Sequence, residues 1–314
     1  MTTPKGRAKR RYIVIPFAVL GVIFAGYSVL WIQGAGIMKQ AIADFVADEE
    51  AIGHSIVMER MKVKGYPFTL RAQIDQFTWT APGEWSWSGE RLHIVTLPYD
   101  PSRLILAPRG PQTLRYGDRT YGVTADALSV GLENGKVSAE TQGLNAVGQE
   151  GQITLESLKA NWIENEDGTW ILGAAMRQLI ATPKDKPSVT AHFWNIAASG
   201  IVGDGDSLTI DATEMGLSDG VSTPPTVLKL DGTIGIDTAN YPEGKINISV
   251  RNHHVLLSLL EQQGLMSEDG LERLSPTLNA FGNNDNQEIA LPFRLKDGML
   301  NIANIPLAEL PTVR

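Results

Sequence analysis

Between Tyr12 and Ile32 the chain runs for 21 residues without a charged side chain. As a helix rising ~1.5 Å per residue this stretch reaches ~31 Å, the thickness of one bilayer core. From Gly34 to Glu50 the pattern changes. Ile37, Met38, Ala41, Ile42, Phe45 and Val46 recur every three or four residues, with Asp44, Asp48 and Glu49 off that stripe, which predicts an amphipathic helix continuing from the first. From Ser55 the period falls to two. Phe68, Leu70, Ala72 and Ile74 alternate with Thr69, Arg71, Gln73 and Asp75, and the alternation then slips by one to Phe77 and Trp79. One slipped residue predicts a β-bulge inside one long strand.

Further period-two runs follow across most of the chain, among them Trp85–Ile94, Leu128–Leu132, Leu158–Trp162, Trp170–Met176, Val227–Ile236 and Ile289–Leu295. Asn134-Gly135 and Asp297-Gly298 predict type I′ hairpin turns, whose two central residues both take φ > 0. Asp167-Gly168 and Asp231-Gly232 carry the same signal. Near the C-terminus helical spacing returns twice. Val255, Leu256, Leu259 and Leu260 fall in His253–Gly264, and Leu271, Leu274 and Leu278 follow Ser267 as N-cap. The expected fold is mainly β: an extended antiparallel meander or curved sheet, with an N-terminal transmembrane helix and two short helices near the C-terminus. The expected divisions are a basic tail (1–11), a transmembrane helix (12–32), a connecting amphipathic helix (33–50) and a β-rich domain (51–314).

Charge sets the expected topology. Lys5, Arg7, Lys9, Arg10 and Arg11 precede the apolar run, with no acidic residue among them. The positive-inside rule keeps this tail cytoplasmic and sends the domain across the membrane. A cleaved signal peptide is the rival reading, with Gly34-Ala35-Gly36 as its only candidate site, but signal cores are usually shorter. The net charge is −8, and since the tail holds five cations the remainder carries −13. That balance disfavours nucleic acid, which needs a basic face, and also docking onto anionic lipid. The chain has no cysteine, so disulfides, thiolate nucleophiles and Cys-type metal sites are excluded. A disulfide-free exported domain suits a bacterial inner-membrane protein whose main domain is periplasmic.

Candidate chemistry is sparse. The five histidines form no zinc-binding spacing, and His253-His254 point about 100° apart on a helix. Gly203-Asp204-Gly205-Asp206 resembles part of a calcium loop, but Met215 stands where an EF-hand needs Glu. Nucleophile-elbow and phosphate-loop motifs are lacking. No catalytic residue, metal or cofactor is therefore expected. Apolar surface remains. Seven tryptophans are present, and Trp85 and Trp87, two apart, share one strand face. Phe68, Leu70, Ile74, Trp85 and Trp87 are the candidate lining of an apolar groove; a packed core is the other reading these residues allow.

Gly65-Tyr66-Pro67-Phe68-Thr69-Leu70, then Trp85-Ser86-Trp87-Ser88 before Arg91-Leu92, then Leu291-Pro292-Phe293-Arg294-Leu295-Lys296-Asp297-Gly298-Met299-Leu300 with Ile305-Pro306-Leu307, together with the basic tail and single anchor, resemble bacterial domain-of-unknown-function family 2125. The resemblance covers essentially the whole chain and implies no catalytic residues. The layout of anchor plus long sheet is also similar to AsmA-type envelope proteins, which implies lipid handling. The expected function is a non-enzymatic, membrane-anchored protein that binds a lipid or other apolar ligand. The alternative is an envelope scaffold recruiting a partner protein through a sheet edge.

Overall fold

The apolar run and the amphipathic segment after it form one unbroken helix, α1 (Lys9–Ala51). The backbone does not break at the boundary expected at residue 33. The computed structural model describes residues 9–201, 207–218, 225–237, 240–264, 282–283, 288–302 and 305–309. Past α1 the described chain is almost entirely strand: β1 (Ser55–Lys64), β2 (Leu70–Ala81), β3 (Trp85–Leu97), β4 (Asp100–Tyr116), β5 (Arg119–Thr124), β6 (Ala127–Glu133), β7 (Lys136–Gly148), β8 (Gly151–Glu164), β9 (Thr169–Pro183), β10 (Val189–Ile201), β11 (Ser207–Ser218), β12 (Thr226–Ile236), β13 (Pro242–Arg251), β14 (Gly282–Asn283), β15 (Glu288–Lys296), β16 (Met299–Ile302) and β17 (Ile305–Glu309). The helix α2 (His253–Gln262) interrupts them, ending at Gly264 with φ +65° as the C-terminal signal predicts. The second expected helix, 267–280, and the Gly203–Asp206 loop lie outside the described residues.

All seventeen strands belong to one sheet, and every pairing is antiparallel. Strands adjacent in sequence pair with each other nearly throughout. β5 and β6 divide a single row between β4 and β7, and β14 and β16 lie along the same edge of β15, so the sheet has fifteen rows. At ~4.8 Å per row this meander extends ~67 Å. The hairpins at Asn134-Gly135 (φ 38°, 75°) and Asp297-Gly298 (φ 51°, 73°) have the expected left-handed central pairs. Asp231-Gly232 does not turn. It lies within β12, where a Cβ on Gly232 would stand 2.2 Å from the Lys245 carbonyl. There the glycine serves close strand approach, which the turn signal does not distinguish.

The slip in alternation expected as a β-bulge is instead one point on a longer crease, since the pairing of β2 with β1 and β3 runs through Gln76 without an extra residue. Gln76 has φ 51°, and the register places it in one row with Glu59 of β1 and Glu90 of β3. Inward facing slips by one residue in all three strands without a register shift between them. A second row does the same across Gly143 (φ 57°), Glu156, Gln178 (φ 42°) and His192 in β7 to β10. Away from α1, the residues flanking this second row, Leu155, Met176 and Ala191, are among the most buried of their face and pack together. A sheet creased the other way would push them into solvent. The crease therefore folds the sheet toward its apolar face and makes a trough.

A candidate site: one apolar face without a second layer

Cross-strand partners share a face, so register traces that face across the whole sheet. It runs from Ile74 to Leu92 in β2 and β3, and from Leu158 to Met176 in β8 and β9. Leu230 of β12 then pairs with Ile248, which pairs with Leu291 of β15. Charged side chains enter it only at its rims, as Arg119 and Glu164. The opposite face carries most of the charge, including the Asp75–Arg91 pair at 3.0 Å, Arg103–Glu133 at 2.7 Å and Lys159–Glu140 at 2.6 Å. Hydrogen bonds from Gln73 and then Arg91 hold the Asp75 carboxyl below the usual carboxylate range, and the Glu133 pairing raises Arg103.

Little covers the trough. α1 packs on β1 and β2, α2 packs on β11 and β12, and neither packs to any extent on β4 to β10. The solvent-accessible surface is 20631 Å2, whereas a compact monomer of 34.1 kDa exposes about 13,000 Å2. On the apolar face of the open stretch, Ile153 is 41 % and Trp194 38 % exposed. Trp162 and Trp170 stack there with centroids 4.8 Å apart and planes 9° from parallel.

Four of the five residues singled out in the sequence, Leu70, Ile74, Trp85 and Trp87, mark the closed end of this trough. Leu70 (4 % exposed) and Ile74 are buried; Leu70 and Ala72 pack against Ala35 and Met38 of α1, with Trp31, Ile42, Val63 and Ile94 around them. Trp85 meets Trp79 edge-on at 5.2 Å, and Trp79 meets Phe45 of α1 at 5.6 Å. Trp87 packs on Phe77 at 4.7 Å and donates its indole N–H to Gln112 Oε1 at 3.1 Å. Phe68 does not join them. β2 begins at Leu70, and Phe68 sits in the preceding hairpin turn, 78 % exposed, because the turn through Pro67 breaks the alternation that the sequence displays. The apolar stretch beyond α1, β6 to β13, which α2 covers in part on β11 and β12, was signalled only by its period-two runs, and its Leu158, Met176, Leu230 and Ile248 were not singled out.

Among the described residues no cluster of His, Asp or Glu is arranged to hold a metal ion. His192 Nε2 and Ser218 Oγ lie 2.8 Å apart. His253 and His254 at the start of α2 stack edge-on at 6.1 Å. α1 is the one described helix long and apolar enough to cross a membrane; its length and composition also fit a signal sequence.

No curated protein and no solved structure matches the chain. A family model described as "Uncharacterized protein conserved in bacteria (DUF2125)" matches residues 31–218 and 203–311, from the end of the apolar run to the last strand. The chain belongs to that bacterial family, DUF2125.

Proposed function

We propose that this protein is a non-enzymatic, membrane-anchored carrier whose trough holds the acyl chains of a lipid in the cell envelope. The observation that carries this reading is an apolar face that runs through fifteen rows of one sheet, charged only at its rims, which α1 and α2 leave bare from β4 to β10. Soluble monomers rarely leave more than a few hundred Å2 of contiguous apolar surface bare. At ~67 Å the trough is far longer than the ~15 Å of one hydrocarbon leaflet, so it accommodates more than one chain. The basic tail supports a cytoplasmic N-terminus and a periplasmic sheet. Retention of α1 is supported by its packing: cleavage after Gly36 would remove Trp31 and Ala35 from the cluster around Leu70.

The full chain, extracted in mild detergent and examined by native mass spectrometry with lipid extraction, should carry phospholipid. Substituting Leu230→Glu in the open trough should remove it while the sheet stays folded. A folded full chain that never carries lipid and does not acquire it from vesicles would overturn the reading. The scaffold alternative is favoured by one observation: β17 pairs only with β16 among the described residues. If the edge binds a partner protein and the trough stays empty, that alternative stands.

A further inference from the structure

The turn between β1 and β2 folds back along the anchor. The Tyr27 hydroxyl donates to the Pro67 carbonyl at 2.5 Å, and the Trp31 indole N–H donates to the Thr69 carbonyl at 2.9 Å. Ser28 Oγ and the Tyr66 hydroxyl lie 2.7 Å apart, and the Tyr66 ring packs edge-on against Phe24 at 5.9 Å and Trp31 at 5.5 Å. All four of these helix residues belong to the apolar run that ends at Ile32. If α1 spans a bilayer, this turn lies at the depth of residues 24–31, inside the leaflet where the helix ends. Its backbone is satisfied at that depth except at Tyr66 and Phe68, whose N–H and C=O groups have no partner among the described residues. The carbonyls of Gly65, Pro67 and Thr69 all accept hydrogen bonds, and Pro67 has no N–H to satisfy. Unsatisfied backbone groups are costly in hydrocarbon. Phe68, the most exposed large apolar residue outside α1, projects from the tip.

Charge next to the turn runs against that of the domain. Lys64 pairs with Arg71 in the first row beyond the tip, and Lys62 pairs with Gln73, itself opposite His93, in the second. These two rows hold three cations and no carboxylate. They occupy the polar face, and Lys62, Lys64 and Arg71 are exposed. Leu70 packs on Gly34 and the neighbouring Ala72 on the Ala35–Met38 turn, so the rows stand ~3–9 Å beyond Ile32 along the helix. That is the headgroup layer, which extends ~5–8 Å past the hydrocarbon.

We propose that this end of the sheet is a second membrane contact: Tyr66-Pro67-Phe68 enters the leaflet beside the anchor, and Lys62, Lys64 and Arg71 bind the phosphates of anionic lipid headgroups. The inference rests on α1 being the anchor. The net charge of −13 beyond the tail, which disfavours anionic lipid, is an average that hides this patch.

The chain has no native cysteine, so single labels are simple to place. Full chains carrying Phe68→Cys, Leu20→Cys or Val57→Cys, each with an environment-sensitive fluorophore, are reconstituted into phosphatidylcholine vesicles with or without phosphatidylglycerol. Nitroxide-labelled phospholipid serves as quencher, and circular dichroism checks folding. The Phe68 label should emit as in an apolar medium and lose most of its fluorescence to the quencher. The label at Val57, seven residues or ~23 Å up β1 from Lys64, should do neither. Phosphatidylglycerol should deepen Phe68 quenching, and the triple change Lys62→Gln, Lys64→Gln, Arg71→Gln should abolish that increment. Quenching at Leu20 without quenching at Phe68 would overturn the proposal and leave the anchor intact. Quenching at neither would overturn both. Phe68 quenching indifferent to phosphatidylglycerol and to the triple change would overturn the headgroup assignment.

Discussion

Gly34 of α1 lies so close to Leu70 of β2 that a Cβ on the glycine would stand 3.0 Å from Leu70 Cδ1. This contact sets how closely α1 seats on the sheet. Gly34→Leu should therefore lift the helix from the sheet and lower stability by about 1–3 kcal/mol, the usual cost of overpacking. Thermal unfolding of the detergent-solubilised chain measures it. Gly36, on the same helix with nothing within 4 Å of its Cβ position, should accept alanine without loss.

Leu70 and Leu230 share the apolar face but differ in cover. Leu70 is roofed by α1, so Leu70→Asp buries an unpaired charge and should unfold that end of the sheet. Leu230 lies in the trough away from α1, where water can reach a carboxylate, so Leu230→Glu should leave the β circular dichroism signal unchanged and release bound lipid. Equal unfolding by both changes would mean that the trough is packed shut.

What the sequence made legible was local. The β content, the slip in facing at Gln76, two I′ hairpins and the first C-terminal helix all follow from period and turn chemistry at their own residues. The slip, however, is shared by three strands in unbroken register and is not the bulge expected of one. Phe68 was misplaced because alternation continues through a turn, and periodicity carries no record of where pairing starts. The alignment of Gly143, Glu156, Gln178 and His192 into one crease was hidden for a different reason. It arises only when four strands are set in register, and each residue alone reads as an ordinary polar or glycine position. The basic rows were hidden by averaging, since Arg71 joins Lys62 and Lys64 only through the β1–β2 hairpin.

The crease should respond to backbone substitution. Gln178 holds φ 42° in the left-handed region, which costs an ordinary residue about 1–2 kcal/mol. Gln178→Gly should be neutral or raise the melting temperature. Gln178→Val should lower it, because a β-branched residue tolerates this region worst. Gly143→Val should be more damaging, since φ is 57° and a Cβ would stand 2.2 Å from Asp126 Oδ2. If Gln178→Val is as stable as the parent, this strand does not bend there.

His93 offers a titration that reads the basic face. Burial, followed by the positive charges of Arg71, Arg109 and Arg91, pushes its pKa below the ordinary 6.5, with Asp75 opposing weakly. The folded state thus favours neutral His93. The stability this contributes is fully present above pH 6.5 and is lost as pH falls below 6.5 through the lowered folded value. His93→Gln should remove that part of the pH dependence, as measured by melting temperature against pH in neutral detergent. Anionic headgroups bound at Arg71 and its neighbours would offset the positive field, so the His93 pKa should rise when phosphatidylglycerol is added to phosphatidylcholine bicelles. Ring-carbon NMR of histidine-labelled protein, assigned by His93→Gln, would follow the shift. A pKa unmoved by anionic lipid would show that the phosphates do not reach this face.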